Sequence, residues 1–236
     1  EVRYLPGSRI AAEDVRDADA LIIRTRTRCD GRLLAGSRVR LIATATIGFD
    51  HIDTAWCAAH GIRVATAAGC DPPREEREHC GFLPLEEVAR EADLLTFHTP
   101  LDASTRHMAG EGLLARLKPG AVVMNSSRGE VVDGDALLRS GHPCVLDVWE
   151  HEPHLDPQLL DRALLATPHV AGYSEQGKAT ATAMSVATLA GFFGLPLRGW
   201  YPSEAAPSVP RPIPWQELCT TIGDAYDIEA ESCRLK

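Results

Sequence analysis

The amino-acid sequence predicts an α/β protein with two parallel-sheet domains. Short, nearly continuous apolar runs alternate along the chain with stretches of helical character, as in sheets that are covered on both faces. Polar turn residues follow the apolar runs, which suits right-handed crossovers between parallel strands. A chain of 236 residues is long for one compact core and sufficient for two modest domains.

The individual elements follow from this alternation. Seven apolar runs are interpreted as strands covered on both faces, at residues 20–24, 40–45, 63–66, 93–98, 121–125, 144–148 and 164–166. Helical stretches are predicted at residues 53–60, 84–91, 112–117, 135–139, 157–162 and 175–193. The last helix is the longest, and its many Ala and Thr residues suit close packing across a domain boundary.

A proline-rich segment follows the longest helix. Residues 195–215 contain six prolines, which exclude regular structure because proline lacks a backbone N–H and has a fixed φ. The segment is interpreted as a linker that leads to one final short helix at residues 217–226.

The overall composition excludes several classes of protein. A formal net charge of -9 without a basic cluster argues against nucleic acid as a partner. No apolar run approaches the roughly 20 residues that cross a bilayer, and the opening residues lack the pattern of a secretion signal. Seven cysteines without CxxC spacing fit reduced thiols, so we expect a cytoplasmic protein with no membrane partner.

Two polar residues in the second half of the chain form a candidate catalytic pair. His169 comes shortly after strand 164–166, at the kind of strand end where open α/β sheets bind ligands. Imidazole has an ordinary pKa of about 6.5, so it can accept or donate a proton near neutral pH. A carboxylate such as Glu152 would fix the ring tautomer and favour the protonated ring. A structural histidine and an exposed Glu-Pro turn are the alternative interpretations.

Arg128 supplies a candidate cation after strand 121–125. Its guanidinium suits bidentate binding of a carboxylate, and Gly129 lets the backbone turn and leaves room for a ligand. The alternative is a surface arginine paired with Glu130 or Asp133. Asp147, near the end of the next strand, has capping as its alternative role. A cation, a carboxylate and an imidazole suffice to move a proton beside a carbonyl, so the sequence predicts an enzyme.

The order of Arg128, Glu152 and His169, together with the residues around them, resembles the D-isomer-specific 2-hydroxyacid dehydrogenases. The flanking stretches that carry the resemblance are residues 117–121, 125–133, 146–153 and 167–169. Within that superfamily, four further stretches look most like the erythronate-4-phosphate dehydrogenases of vitamin B6 synthesis, namely residues 43–53, 68–70, 96–100 and 169–178. The resemblance covers nearly the whole chain.

The resemblance implies a reaction and a set of site residues. The reaction is the NAD-dependent oxidation of 4-phospho-D-erythronate, a small phosphorylated hydroxy acid, to 3-hydroxy-2-oxo-4-phosphobutanoate in pyridoxal 5'-phosphate synthesis. Arg128, Glu152 and His169 take the catalytic roles. The positions that match cofactor contacts are Asp71, Thr99, Ser126, Ser127, Asp147 and Gly172. Those that match substrate contacts are Thr25, Thr46 and Tyr173.

Charged residues refine these expectations. An acidic residue at position 71 accepts hydrogen bonds from ribose hydroxyls and disfavours a 2′-phosphate, which predicts NAD over NADP. Arg24 or Arg26 is placed to meet the substrate phosphate, and a solvated, charge-balanced loop is the alternative.

The resemblance also implies the domain boundaries. Residues 1–70 form a substrate-binding domain, residues 71–172 a nucleotide-binding domain, and residues 173–195 a helix that returns to the substrate domain. Residues 196–236 form the linker and part of a dimerisation region, so a homodimer is expected. Both domains are expected to be Rossmann-like or flavodoxin-like.

The nucleotide-binding domain is predicted to be incomplete. The family carries a helix and a G-x-G-x-x-G turn between the positions of Cys70 and Asp71, where backbone N–H groups approach the cofactor pyrophosphate. This sequence has no such turn. Either the sequence is part of a longer polypeptide or the turn is deleted, and the abrupt break between well-matched flanks favours the first.

Other functions are weighed against this interpretation. A 3-phosphoglycerate or hydroxypyruvate dehydrogenase is the nearest rival. A non-enzymatic NAD-sensing scaffold is a different class, and the presence of Arg128, Glu152 and His169 together speaks against it. The sequence has no G-x-S-x-G for a serine hydrolase, and the spacing of His151 and His154 does not match an H-E-x-x-H zinc site.

Overall fold

The computed structural model describes residues 2–46, 48–66, 83–197, 199–204 and 213–236. The chain divides into two compact units. The first combines Glu1–Asp71 with Gly172–Val209, and the second combines Pro72–Ala171 with Pro210–Lys236. Each unit contains one parallel sheet, which confirms the predicted α/β class.

The first unit is built on a three-stranded parallel sheet. Its strands, in spatial order, are β1 (Ala20–Ile23), β2 (Leu41–Thr44) and β3 (Arg63–Thr66). All four residues of the central strand β2 are buried, as its continuous apolar run predicts for a strand covered on both faces. A short helix at Ala12–Val15 precedes β1, and short helices at Gly31–Leu34 and Thr54–Ala59 connect the strands.

The second unit contains a four-stranded parallel sheet in sequential order. Its strands are β4 (Leu94–Phe97), β5 (Val122–Asn125), β6 (Cys144–Leu146) and β7 (Leu165–Ala166). The helices between and before them are Leu85–Glu91, Glu111–Leu114, Gly134–Ser140 and Pro157–Arg162. Because all the strands run in one direction, the residues that follow them meet at one edge of the sheet.

A long helix, Glu175–Phe193, has the bounds that the sequence predicts. Ser174 begins it by accepting a hydrogen bond from the Gly177 N–H at 3.0 Å, and Gly194 ends it in the left-handed conformation with φ of 67°. Within the first unit, the helix packs mainly against β2. None of the helices that the structure describes has the length and apolar character needed to cross a membrane.

The prediction of one final short helix is wrong, because the described C-terminal segment forms two helices. They are Trp215–Ala225 and Ile228–Leu235. Asp227 separates them and caps the second by accepting a hydrogen bond from the Ala230 N–H. The second helix, which we call the C-terminal helix, covers the edge strand β7, where the Ala166 N–H donates to Ser232 Oγ at 2.9 Å. Ser232 Oγ thereby provides a hydrogen-bond acceptor for a backbone N–H at the edge of the sheet.

Candidate active site

Three loops meet at the carboxyl edge of the second sheet and carry the predicted catalytic residues. They follow the adjacent strands β5, β6 and β7, and they carry Arg128, Glu152 and His169 respectively. The backbone joins them in sequence, because the Asp147 N–H donates to the Asn125 carbonyl at 3.0 Å and the Thr167 N–H donates to the Leu146 carbonyl at 3.0 Å.

Glu152 and His169 form the pair that the sequence predicts. Glu152 Oε2 lies 2.9 Å from His169 Nδ1, and Glu152 Oε1 accepts a hydrogen bond from the Trp149 N–H at 2.9 Å. The two side chains are 35% and 38% exposed, so solvent and small ligands can reach them. Because Glu152 occupies Nδ1, Nε2 is the ring nitrogen that remains for a reacting group.

The pKa of His169 is raised above its ordinary value of 6.5, chiefly because Glu152 accepts a hydrogen bond from the protonated ring. Partial burial opposes this rise in pKa, the negative charge of Glu152 adds to it, and the positive charge of Arg128 lowers the pKa again. The guanidinium and the imidazole therefore lie within electrostatic range of each other. The structure brings together a carboxylate, an imidazole and a cation within one unit.

Arg128 lies in the loop just beyond β5, where it precedes the 3-10 helix Gly129–Val131. Its side chain is half-buried and Nη1 donates to the Ser127 carbonyl at 2.7 Å. Such a held guanidinium can bind a carboxylate in bidentate fashion and polarise a neighbouring oxygen.

Gly129 makes room for the protein backbone rather than for a ligand. A Cβ atom at this position would lie 2.0 Å from the Trp149 carbonyl carbon and 2.3 Å from the Glu150 nitrogen. Only glycine allows this close approach, since a side chain would overlap backbone on the neighbouring loop. The loop with Arg128 and the loop with Glu152 are thereby held against each other.

We expect Gly129→Ala to destabilise the chain and to lower activity, because the loop after β5 must move away from Trp149. Overpacking of this kind costs roughly 1–3 kcal/mol, occasionally more. Urea unfolding should show a lower midpoint. The control is Gly112→Ala in helix Glu111–Leu114, where an added Cβ meets no atom within 4 Å. Equal unfolding midpoints for Gly129→Ala and Gly112→Ala would contradict the close approach.

One predicted cofactor position has a buried hydroxyl that lacks a hydrogen-bond partner among the described residues. Thr99 follows β4, and its buried Oγ1 has no hydrogen-bond partner among the described residues. Buried hydroxyls in proteins are normally paired, so a hydroxyl or amide of a bound nicotinamide nucleoside fits this position. On the adjacent loop, Ser126 Oγ lies 3.4 Å from His98 Nδ1 and Ser127 Oγ donates to Asn125 Oδ1 at 2.8 Å. The residues present therefore fit the nicotinamide end of NAD.

Two other predicted cofactor positions give no comparable support for a bound cofactor. Asp147 is buried, and its carboxylate accepts hydrogen bonds from the Thr167 hydroxyl and from the N–H groups of Val170 and Ala171. Asp71 lies outside the described residues, as does the break at Cys70 where the glycine-rich turn is expected.

The remaining predicted positions belong to the first unit. Thr25 is exposed in the turn after β1, and Thr46 Oγ1 donates to the Gly48 carbonyl at 2.9 Å. Gly172 adopts a left-handed φ of 74°. Tyr173 is 65% exposed, and the Lys178 ammonium lies 3.4 Å from its ring centroid. This cation–π contact places a positive charge beside the predicted substrate-contacting ring.

Sequence reasoning missed Asn125 as a residue of the site. It stands at the end of β5 and is 1% exposed. The available signal was an amide at the end of an apolar run, because a buried Asn requires hydrogen-bond partners in the adjacent loop.

Comparisons with known proteins place the sequence among dehydrogenases. The family described as D-isomer specific 2-hydroxyacid dehydrogenase, NAD binding domain, matches residues 8–171. The chain is 43% identical to an erythronate-4-phosphate dehydrogenase of Bacteroides fragilis, over 82% of this chain and 74% of the relative. It is 37% identical to an erythronate-4-phosphate dehydrogenase of Marinobacter nauticus, over 99% of this chain and 78% of the relative.

The Bacteroides fragilis alignment is longer than the part of this chain that it covers. It runs over 258 residues, whereas 82% of this 236-residue chain is about 194 residues, a difference of about 64. A helix and a glycine-rich turn are among the features that such a difference can include.

The fold is shared with solved dehydrogenases. The structure of D-lactate dehydrogenase from Aquifex aeolicus, complexed with NAD and lactic acid, superposes with a TM-score of 0.66 at 20% identity. The match covers 79% of this chain and 86% of that one. Together with the family match, it confirms two Rossmann-like sheets as the fold. The chain belongs to the D-isomer-specific 2-hydroxyacid dehydrogenase family.

Proposed function

We propose that this chain oxidises the 2-hydroxyl of 4-phospho-D-erythronate to 3-hydroxy-2-oxo-4-phosphobutanoate with NAD, in pyridoxal 5'-phosphate synthesis. The observation that carries the proposal is the 2.9 Å pairing of Glu152 with His169, within electrostatic range of Arg128. The substrate rests on the relatives of Bacteroides fragilis and Marinobacter nauticus, both of which are erythronate-4-phosphate dehydrogenases.

The three side chains take distinct parts in the reaction. His169 Nε2 accepts the proton of the 2-hydroxyl, while Nδ1–H donates to Glu152 and the carboxylate stabilises the imidazolium that forms. Arg128 binds the substrate carboxylate and polarises the C2 oxygen as it becomes a carbonyl. When bound, NAD would supply the acceptor for the hydride that leaves C2.

The proposed binding residues follow the family resemblance. The resemblance implies cofactor contacts at Asp71, Thr99, Ser126, Ser127, Asp147 and Gly172. Substrate contacts are assigned to Thr25, Thr46 and Tyr173, and the phosphate to Arg24 or Arg26. The buried hydroxyl of Thr99, which has no hydrogen-bond partner among the described residues, supports the cofactor assignment.

We also propose a cytoplasmic homodimer that acts on a small phosphorylated hydroxy acid, without nucleic acid or membrane partners. The net charge of -9 supports the exclusion of nucleic acid. Among the described cysteines, Cys29, Cys57 and Cys144 are buried free thiols, and burial raises the pKa of the Cys29 thiol to about 12. Static light scattering measures the mass in solution, and a monomer would contradict the homodimer.

The substrate is tested by comparing kcat/KM for 4-phospho-D-erythronate and 3-phosphoglycerate, with NADH formation as the readout. We expect the former to be preferred. A preference for 3-phosphoglycerate, or for hydroxypyruvate in the reverse direction, would assign the chain to the rival dehydrogenase type. NAD binding without turnover of any of these acids would favour the scaffold.

The pH dependence of oxidation should report the His169 environment. The neutral ring is the base, so a raised pKa places the rise of kcat/KM with pH above the ordinary 6.5. Glu152→Gln removes the main cause of the raised pKa. This acid limb should therefore move to lower pH, while kcat falls because the ring is no longer oriented.

A second histidine–glutamate pair supplies the control for this pH profile. Glu150 Oε1 lies 2.7 Å from His107 Nε2 in the same unit. Glu150→Gln should leave the acid limb of the pH profile in place, since it does not touch His169. Coincident acid limbs for the wild type and Glu152→Gln would contradict the assignment of His169 as the base.

A further inference from the structure

The side chain of Asn125 makes three hydrogen bonds to the loop that carries Arg128. Asn125 Oδ1 accepts hydrogen bonds from the Ser127 N–H at 3.1 Å and from the Ser127 hydroxyl at 2.8 Å. Its Nδ2 donates to the Arg128 carbonyl at 2.8 Å. Because the residue is only 1% exposed, water does not compete for these groups, and the amide fixes the loop on both sides of residue 127.

Asp147 accepts a similar set of hydrogen bonds from the turn that carries His169. Its backbone carbonyl accepts the His169 N–H at 2.8 Å. Its Oδ1 accepts the Val170 N–H at 2.7 Å and its Oδ2 accepts the Ala171 N–H at 2.8 Å. Three successive backbone N–H groups of the turn therefore donate hydrogen bonds to Asp147, which is 8% exposed.

The backbone of His169 needs this support. His169 has φ of 56°, in the left-handed region that residues other than glycine adopt only when their surroundings hold them there. The three hydrogen bonds to Asp147 are the contacts that hold the turn in this conformation. They fix the direction in which the imidazole leaves the backbone, toward Glu152.

The residue types at the two positions match their tasks. Position 147 must accept two backbone N–H groups on two different oxygens, which a carboxylate does and an amide does not. Position 125 must both accept and donate, which an amide does and a carboxylate does not. Asn125 ends β5 and Asp147 directly follows the adjacent strand β6, and the two are joined by the hydrogen bond from the Asp147 N–H to the Asn125 carbonyl.

We infer that Asn125 and Asp147 are positioning residues for the dehydrogenase, Asn125 acting through the Arg128 loop and Asp147 through the His169 turn. This inference rests on the proposed function for its kinetic consequences. For Asp147 it differs from the cofactor contact that the family resemblance implies, because a residue that positions His169 acts on kcat and a cofactor ligand acts on NAD affinity.

Two isosteric exchanges test the inference. In Asp147→Asn an amide with one oxygen faces two N–H donors, so one of the two hydrogen bonds to the turn is lost. We expect kcat to fall by about 10²-fold, the size expected when a catalytic group is displaced by about 1 Å. Its Kd for NADH, measured by fluorescence, should stay within a factor of about two of the wild-type value if positioning dominates. Loss of the negative charge should also move the acid limb of the pH profile to lower pH, because Asp147 helps to raise the pKa of His169.

Asn125→Asp removes the donor to the Arg128 carbonyl and should raise KM for 4-phospho-D-erythronate about tenfold. Ser140→Ala is the matched control, because Ser140 Oγ donates to the Leu137 carbonyl and accepts from the His142 N–H before β6, away from the carboxyl edge. Its kcat and KM should equal the wild-type values.

Several results would overturn the inference. A Kd for NADH that rises tenfold or more in Asp147→Asn, with kcat preserved at saturating NAD, would make Asp147 a cofactor ligand instead. Equal losses in Asp147→Asn and Ser140→Ala would reduce the effect to general destabilisation. An Asn125→Asp variant with wild-type KM would remove Asn125 from the proposal.

Amide hydrogen exchange of the wild-type chain gives a readout that needs neither substrate nor a folded variant. The N–H groups of His169, Val170 and Ala171 should exchange as slowly as those of β6, although they lie in a loop. Rapid exchange at all three would overturn the positioning role of Asp147. If no substrate is turned over but these groups are protected, the proposed function fails and the turn geometry stands.

Discussion

Replacing His169 with alanine is expected to lower kcat for 4-phospho-D-erythronate by about 10²- to 10⁴-fold, the usual contribution of a positioned acid–base group. The substitution removes the ring nitrogen that accepts the hydroxyl proton and leaves Glu152 without its partner at 2.9 Å. NADH binding should be nearly unchanged, because the loop keeps its backbone hydrogen bonds to Asp147. Steady-state kinetics and NADH fluorescence measure the two quantities.

His107→Ala is a closely matched control for this substitution. His107 also has a positive φ, 52°, and is also paired with a glutamate, Glu150 at 2.7 Å. It is assigned no part in the reaction, so most of the activity should remain. Unchanged turnover in His169→Ala, or an equal loss in His107→Ala, would remove the catalytic role from His169.

Replacing Arg128 with alanine should lower kcat/KM by about 10²- to 10³-fold, the size seen when one stabiliser of a developing oxyanion is removed. Arg128→Lys should recover only part of this loss, since an ammonium cannot bind a carboxylate in bidentate fashion. The same two variants make a prediction about pH. Because the Arg128 charge lowers the pKa of His169, the acid limb of Arg128→Ala should move to higher pH, opposite to Glu152→Gln.

A surface arginine provides the comparison. Arg90 forms an exposed pair with Glu86 at 3.9 Å on helix Leu85–Glu91, so Arg90→Ala should keep wild-type kcat/KM. If Arg128→Ala behaves like Arg90→Ala, or if its acid limb moves in the same direction as that of Glu152→Gln, Arg128 does not act at the reacting centre.

The strands and the long helix could be predicted because local sequence decides them. The apolar runs become strands such as β2, whose residues are all buried, and the run of small residues becomes the helix Glu175–Phe193. The C-terminal helix could not be predicted in this way. Ile228–Leu235 carries little apolar character of its own and is held by a cap at Asp227 and a distant hydrogen bond that Ser232 Oγ accepts from the Ala166 N–H of β7.

The candidate site likewise contains features that local sequence predicts and features that depend on distant contacts. The pairing of Glu152 with His169 follows from residue types and order along the chain. The part played by Gly129 does not, because the atoms that exclude a side chain there belong to Trp149 and Glu150, some 20 positions away in the sequence. The hydrogen bonds to Asp147 depend on the left-handed backbone of His169, which no pattern of residue types specifies.

A crystal structure of the dead-end complex with NADH and 4-phospho-D-erythronate tests the central claim most directly, since both reactants are in their reduced forms and cannot react. The account predicts the substrate 2-hydroxyl within hydrogen-bonding distance of His169 Nε2, with Glu152 on Nδ1 and the substrate carboxylate on the Arg128 guanidinium. A complex in which the hydroxy acid binds elsewhere, with the His169 and Arg128 side chains facing solvent, would contradict it.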